Sequence, residues 1–165
     1  GVQKMETVGY TYMAVGGLQS DGEDVQAVQI ARMALDCCEE AGNFMQPDGT
    51  PLTVKVGLHM GQALSGVVGS KKPQFSLFGD TVNTTARMQS TGERMKVHMS
   101  GVFHEQYMKL SNNGTSGPEQ MSFAPRTVKA KGKGEMSTML ATNLAEVRTS
   151  AADAVDRMQS EVEQE

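Results

Sequence analysis

Apolar residues change their spacing along the chain, and the spacing separates predicted helices from predicted strands. Between residues 21 and 42 they recur every three or four positions, at Val25, Val28, Ala31, Leu35 and Cys38. Acidic residues in the first turn and Gly42 at the end complete the pattern of an amphipathic helix. Residues 52–59 instead alternate, which predicts a strand whose apolar side is formed by Leu52, Val54, Val56 and Leu58.

The other segments are shorter, and most are bounded by glycine. Residues 4–18 are rich in β-branched and aromatic side chains on both sides of Gly9, which predicts a hairpin. Strands are predicted at 63–68, 75–78 and 95–99, and helices at 81–90 and after Ser100, whose hydroxyl can cap the helix. Residues 111–118 have the composition of a loop, and a last hairpin is predicted at 127–141. This alternation of strands and helices indicates an α/β or α+β fold.

The C-terminal segment has a different pattern, a narrow apolar seam flanked by charged and amide side chains. The seam consists of Leu144, Val147, Ala151, Ala154, Met158 and Val162. The seam predicts a helix. Because it spans fewer than four heptads, it is equally compatible with a coiled coil and with a helix packed on its own domain. We therefore divide the chain into one domain over residues 1–141 and a C-terminal helix over residues 142–165.

Composition narrows the class of protein. The chain has 165 residues and a net charge of −4, and nucleic-acid binders usually carry a clustered basic excess, so we expect no nucleic-acid partner. The sequence has no apolar run near the ~20 residues that cross a bilayer, so we expect no membrane contact by this segment. Its N-terminus lacks the pattern of a signal peptide. The two cysteines, Cys37 and Cys38, are adjacent and do not suggest a disulfide framework, which favours an intracellular location.

Several residues could carry chemistry. Asn83 and Arg87 are four residues apart in a predicted helix, so they project from one face, where an arginine can clamp a phosphate; an ordinary solvated face is the alternative. The Lys-Gly-Lys-Gly run that begins at Lys131 could approach a phosphate, or it could be a basic hairpin turn. Glu6 lies in an otherwise apolar or Thr-rich strand, where it binds a ligand or simply faces water. The histidines have no metal-site spacing.

In chain order, these residues and the segments around them form a series of motifs. They are KMETVG (4–9), GLHMG (57–61), GVVG (66–69), FGDTVN (78–83), RM (87–88), STGE (90–93) and KGKGE (131–135). The series closely resembles the catalytic domain of class III nucleotidyl cyclases, in the guanylate cyclase branch. The resemblance extends from about residue 4 to residue 141 and is weakest over residues 111–125.

The resemblance implies an α+β fold, ferredoxin-like and related to the palm of polymerases, with a largely antiparallel sheet flanked by helices. Compared with the family, the chain is expected to lack an opening strand and its helices. The family works as a dimer with active sites at the interface, where two aspartates hold two Mg²⁺ or Mn²⁺ ions. The reaction is attack of the ribose 3′-oxygen on the α-phosphorus, with release of pyrophosphate.

The resemblance also implies roles for single residues. Asn83 corresponds to the ribose-orienting asparagine, Arg87 to the arginine at the α-phosphate, and Lys131 to the lysine on the terminal phosphates. Glu6 stands where guanylate cyclases have their base-reading glutamate, and a carboxylate can accept the N1 and N2 hydrogens of guanine. Ser76 stands at the second base-reading position, usually Cys in guanylate cyclases. Glu6 favours GTP as substrate, and Ser76 is compatible with guanine but departs from the family pattern.

One departure from the family pattern is large. The family motif continues with a metal-binding aspartate after Gly9, and here that position is Tyr10, whose phenol is a poor ligand for Mg²⁺. We therefore expect no metal ligand in this chain and a heterodimer in which a partner domain supplies the aspartates. The alternative is a catalytically degenerate cyclase-homology domain that serves as a dimerisation or scaffold module. Family members are soluble or tethered, so we expect the cytoplasm or the cytosolic face of a membrane.

Overall fold

The structure is a computed structural model that describes residues 1–18, 23–112, 121–130 and 133–143. The chain order of its elements is β1 (Val2–Val8), β2 (Thr11–Gly16), α1 (Glu23–Asn43), β3 (Val56–Leu58), β4 (Leu64–Val68), β5 (Gln74–Phe78), α2 (Asp80–Thr91), β6 (Val97–Ser100), α3 (Gly101–Asn112), β7 (Met121–Ala130) and β8 (Gly134–Asn143). The predicted C-terminal helix lies outside the described residues, except for Thr142 and Asn143, which end β8.

The described strands form a four-stranded sheet and two hairpins. The sheet has the order β3-β6-β8-β7, in which β3 is parallel to β6 and the other pairs are antiparallel. The hairpins are β1-β2 and β4-β5, both antiparallel. The prediction of an α+β fold with a largely antiparallel sheet flanked by helices is confirmed.

Helices cover both faces of the sheet. Side chains of β6 alternate: Val97 and Met99 belong to a core cluster with α1 and α3, whereas His98 hydrogen bonds to the backbone of α2. The predicted apolar face of α1 is confirmed where the structure describes it, because Val28, Ala31, Leu35 and Cys38 are buried. The helix α3 adds Phe103, Tyr107 and Leu110 to the same core.

The first predicted central strand is shorter than expected. Only Val56–Leu58 form β3, so the strand prediction is wrong for residues 52–55. The turn before these residues, in which Asp48 accepts the amide hydrogen of Thr50, ends at an isolated bridge between Met45 and Pro51. Beyond it the amide of Leu52 donates to the carbonyl of Phe44, and the amide of Met95 donates to the carbonyl of Val54, so this stretch bonds to irregular segments rather than to a strand.

Three other boundaries also differ from the prediction. The backbone of Met95 has a φ of 57°, outside the strand region, so β6 begins at Val97 rather than at residue 95. The last hairpin is longer than residues 127–141, because β7 already begins at Met121. The loop prediction for residues 111–118 is wrong at 111 and 112, which end α3, and residues 113–118 lie outside the described ranges.

Helix α2 packs unusually closely on the edge strand β3. A Cβ atom built on Gly57 would lie 2.1 Å from the backbone nitrogen of Gln89 and 2.6 Å from its Cα. Real Cβ atoms essentially never approach other heavy atoms so closely, so only glycine allows this contact. The contact fixes the distance between α2 and the sheet, and α2 carries Asn83 and Arg87.

Candidate functional site

The outer face of α2 presents polar side chains, whereas its inner face is buried. Asp80, Asn83 and Arg87 are three and four residues apart, so they lie along one side of the helix. Thr84 and Met88 are the buried residues of α2 and anchor the opposite side. Asn83 is exposed and Arg87 is half-buried. The predicted placement of Asn83 and Arg87 on one helix face is therefore confirmed.

Lys133, in the turn before β8, extends this face. Its Nζ donates a hydrogen bond to Oδ2 of Asp80. That bond, followed by the charges of Lys133 and Arg87, holds the pKa of Asp80 below its usual value. The predicted phosphate-binding Lys131 lies outside the described residues. The sequence analysis missed the Asp80–Lys133 pair, although Lys133 belongs to the same Lys-Gly-Lys-Gly run.

His59 follows β3 directly and lies close to this ion pair. Its Nδ1 is 2.7 Å from Oγ of Ser100, and that oxygen also accepts the amide hydrogen of Phe103 at 3.3 Å. The predicted capping role of Ser100 is thereby confirmed. Burial, and then the charge of Lys133, lower the pKa of His59, and Asp80 opposes this only partly. His59 is therefore a neutral ring at pH 7.

A shallow cleft opens beside the N-terminus of α2. It has a volume of about 380 Å³ and is lined by Gln62, Ala63, Leu64, Phe78 and Gly79. The hydroxyl of Thr81 donates a hydrogen bond to the carbonyl of Gln62, which ties the loop before β4 to the helix. The cleft thus lies next to Asp80, at one end of the polar face of α2.

Glu6 and Ser76 lie in two strands that contact each other. Glu6 is half-buried in β1, paired with Met13 next to an irregularity in the register that begins at Lys4. Ser76 is half-buried in the middle of β5, opposite Gly66. Contacts between β1 and β5 join the two hairpins, and β5 leads directly into α2. The fold therefore connects both predicted base-reading strands to the helix of Asn83 and Arg87.

The two hairpins expose many large apolar side chains, which together we call the hairpin surface. Its members are Val8, Tyr10, Tyr12, Leu64, Val67, Val68, Phe75 and Phe78. Tyr10, in the turn between β1 and β2, is fully exposed, and Leu64 is 75% exposed. Val67 and Val68 are successive residues of β4, so the hairpin surface includes side chains on both faces of that hairpin.

The described residues do not form a divalent metal site. They contain no group of three or more His, Cys, Asp or Glu side chains that could hold an ion. Tyr10 offers only an exposed phenol, and the carboxylate of Asp80 is already paired with Lys133. These donors do not fit the hard, carboxylate-rich coordination that Mg²⁺ requires. Within the described ranges, no helix is both long and apolar enough to span a membrane.

Comparison with known proteins identifies relatives of this fold. The family profile described as "Adenylate and Guanylate cyclase catalytic domain" matches residues 1–143. The rat (Rattus norvegicus) protein "Guanylate cyclase soluble subunit beta-2" is 41% identical over 138 residues, which are 83% of this chain and 19% of that protein. The chain therefore spans about a fifth of the length of that relative.

Two solved structures superpose on most of the chain. The guanylate cyclase domain of RhGC from Catenaria anguillulae, in complex with GTP, has a TM-score of 0.74 and 31% identity, and the match covers 86% of this chain and 72% of that one. The catalytic core of a rhodopsin-guanylyl cyclase with converted specificity, in complex with ATPαS, has a TM-score of 0.72 and 31% identity, with the same coverage.

Proposed function

The chain belongs to the adenylate and guanylate cyclase catalytic domain family, and from that premise we propose that it forms half of a composite site that cyclises GTP. In this proposal the chain supplies the groups that read the base and stabilise the phosphates. A second cyclase catalytic domain supplies the metal-binding aspartates. The observation that supports this division most directly is that the polar face of α2 holds Asn83 and Arg87, while Tyr10 stands in the place of a metal ligand.

Glu6 and Ser76 are the proposed base-reading residues. A half-buried carboxylate can accept the N1 and N2 hydrogens of guanine together, and the hydroxyl of Ser76 can donate to O6. Adenine has an acceptor at N1 and would leave the carboxylate unpaired or repelled, which is costly in a partly buried site. The contact between β1 and β5 supports a shared role for the two residues.

Asn83, Arg87 and Lys131 are the proposed groups on the ribose and phosphates. Asn83 orients the ribose so that its 3′-oxygen attacks the α-phosphorus, and Arg87 stabilises the charge that develops there. Lys131 holds the terminal phosphates, which leave as pyrophosphate. Phosphoryl transfer depends mainly on positioning and charge neutralisation, so an arginine on a helix fixed against the sheet suits the role.

The partner in this proposal is a different cyclase catalytic domain, and the assembly is a heterodimer. Two Mg²⁺ or Mn²⁺ ions would be held by that partner, because the donors among the described residues do not fit them. The hairpin surface supports the proposal, since contact with a partner domain would remove apolar side chains from water. One relative is by name a subunit of a soluble guanylate cyclase. We propose an intracellular location, in the cytoplasm or on the cytosolic face of a membrane, and a domain over residues 1–141 followed by a C-terminal helix.

The test combines the chain with a guanylate cyclase catalytic domain that carries both aspartates but whose own base-reading glutamate is mutated. We expect cyclic GMP formation by the mixture, and we expect Arg87→Ala in this chain to reduce it by about a hundredfold or more, as for a lost transition-state contact. Arg94→Ala is the matched control, because Arg94 is exposed and lies beyond α2. Equal activity of the Arg87 and Arg94 variants would contradict the proposed site.

A second candidate function is a scaffold that dimerises without catalysis. The replacement of the metal aspartate by Tyr10, together with the large hairpin surface, favours it. Arg87→Ala separates the two candidates, because a scaffold keeps its assembly and has no cyclase activity to lose. Analytical ultracentrifugation of the mixture, run beside the cyclic GMP assay, measures both properties on the same samples.

A further inference from the structure

His98 is a fully buried histidine that joins α2 to the sheet. It lies in β6, and its ring faces the last turn of α2. Its Nδ1 is 2.8 Å from the carbonyl oxygen of Met88, and its Nε2 is 2.9 Å from Oγ1 of Thr138 on β8. The side chain thus spans the space between the helix and a central strand.

The carbonyl of Met88 needs an outside donor. It lies in the last turn of the helix, where carbonyls lose their usual partners. The amide of Gly92, four residues on, bonds instead to the carbonyl of Gln89 at 3.2 Å. Because a carbonyl oxygen can only accept, Nδ1 of His98 must bear the hydrogen of this bond.

The neighbouring carbonyl, that of Arg87, is held in the same way. The hydroxyl of Thr91 donates to it at 2.7 Å, and the oxygen of that hydroxyl lies 3.3 Å from Nδ1 of His98. A Cβ on Gly92 would lie 3.1 Å from both the Met88 carbonyl and Cβ of His98, so glycine lets the ring approach. His98 and Thr91 together therefore cap the backbone at Arg87 and Met88.

We propose that His98 is a positioning residue that fixes the backbone from which the Arg87 side chain reaches the site. The inference rests on the proposed role of Arg87 in the cyclase reaction. A lost cap would leave the last turn of α2 free to loosen, and the guanidinium at its start would lose its place. Reactions of this type are sensitive to displacements of about 1 Å, because positioning provides much of the rate.

The hydrogen-bond partners also specify which nitrogen of the ring must bear a hydrogen. Oγ1 of Thr138 is 3.0 Å from the carbonyl of Arg126 as well, so its single hydrogen can serve either that carbonyl or Nε2. Burial lowers the pKa of His98, the hydrogen bond to the Met88 carbonyl opposes this, and the charges of Arg126 and Glu93 act on it in opposite directions. The Met88 carbonyl requires a hydrogen on Nδ1, whereas the hydroxyl beside Nε2 can accept or donate there.

Nuclear magnetic resonance of ¹⁵N-histidine-labelled full chain tests the geometry without any activity. We expect the nitrogen shifts of His98 to report a hydrogen on Nδ1, the less common neutral tautomer in free histidine. A hydrogen on Nε2 alone would overturn the proposal, because the Met88 carbonyl would then have no donor from the ring.

Kinetic measurements on the chain assembled with its aspartate-bearing partner domain test whether His98 positions Arg87 for the reaction. The amide of His98→Asn can donate from near the position of Nδ1, so we expect its kcat to stay within about threefold of wild type. His98→Gln reaches the position of Nε2 instead, and we expect kcat to fall by about tenfold while KM changes less than twofold. His104→Asn is the control, because His104 packs on Phe123 and leaves α2 untouched.

Equal kcat for the Asn and Gln variants would contradict the positioning role. If His98→Gln fails to fold, Thr138→Val, which removes the partner of Nε2, is expected to lower kcat about threefold with KM unchanged. If the wild-type assembly makes no cyclic GMP, the proposed function fails. The positioning role is then decided by the tautomer and by amide hydrogen exchange in the last turn of α2, which should be about tenfold faster in His98→Gln than in His98→Asn.

Discussion

The close packing of α2 on β3 leads to a stability prediction for the substitution Gly57→Ala. Its added Cβ would lie 2.1 Å from the backbone nitrogen of Gln89, whereas ordinary contacts begin at 3.4 Å. No rotamer change relieves the clash, because the nearest atoms belong to the backbone of α2. The helix must therefore retreat from β3 by more than 1 Å, and the packing of Met88 and His98 beneath it is disturbed.

The expected loss of stability follows from the cost of adding atoms to a well-packed core. Overpacking usually costs 1–3 kcal/mol, and a clash between two backbones lies at the upper end, so we expect a loss of about 3 kcal/mol in the free energy of unfolding. For a chain of this length, each kcal/mol lowers Tm by roughly 2–4 °C, which gives a fall of about 6–12 °C. Thermal unfolding followed by circular dichroism measures this directly.

Gly66→Ala is the matched control. Gly66 also lies in a strand, β4, but a Cβ built there meets no atom within 4 Å. Alanine is better than glycine inside a strand by about 0.5–1 kcal/mol, so we expect Tm to stay constant or to rise slightly. A Tm for Gly57→Ala within 2 °C of wild type, or an equal loss in the control, would refute the account of how α2 is held.

Three further predictions follow from the site. Replacing Glu6 by Lys and Ser76 by Asp together should shift the preference of the assembled enzyme from GTP to ATP, measured as the ratio of cyclic AMP to cyclic GMP; an unchanged ratio argues against base reading by this chain. Burial lowers the pKa of all three histidines, so the unfolded chain takes up protons first as pH falls through about 6.5, and the free energy of unfolding from urea titrations should be lower at pH 5.5 than at pH 7.5. Equal stability at the two pH values would contradict the buried placement of the rings. Asp80→Asn breaks the pair with Lys133 at an exposed site, so Tm should change by less than about 3 °C, and a larger fall would mean that the pair holds the helix in place.

Local sequence patterns were sufficient to predict most of the helices and strands. The three-four spacing of apolar residues identified α1, and the glycine-bounded β-branched segment identified the β1-β2 hairpin, whereas β4 and β5 were predicted as strands but not as a hairpin. The pattern failed at residues 52–55, where apolar side chains alternate but the backbone bonds to Phe44 and Met95, which lie outside the strands. Periodicity describes which side chains can be buried, whereas strand formation also depends on the backbone partners that neighbouring segments offer.

The candidate site was predictable only where its members share an element. Asn83 and Arg87 follow from helical spacing, because both lie in α2. The pairing of Asp80 with Lys133 joins residues from α2 and the turn before β8, and nothing in local spacing indicates it. His98 was interpreted as one of three histidines without a metal site, since its partners Met88 and Thr138 are set by packing between elements.

The most direct test of the central proposal is the cyclase activity of the chain alone and with its partner. The purified chain is assayed for cyclic GMP formation from GTP with Mg²⁺ and with Mn²⁺, first by itself and then with a cyclase domain that supplies the aspartates. We expect no turnover by the chain alone and robust turnover by the mixture, with the added activity lost in Arg87→Ala. Robust cyclic GMP formation by the isolated chain would contradict the account.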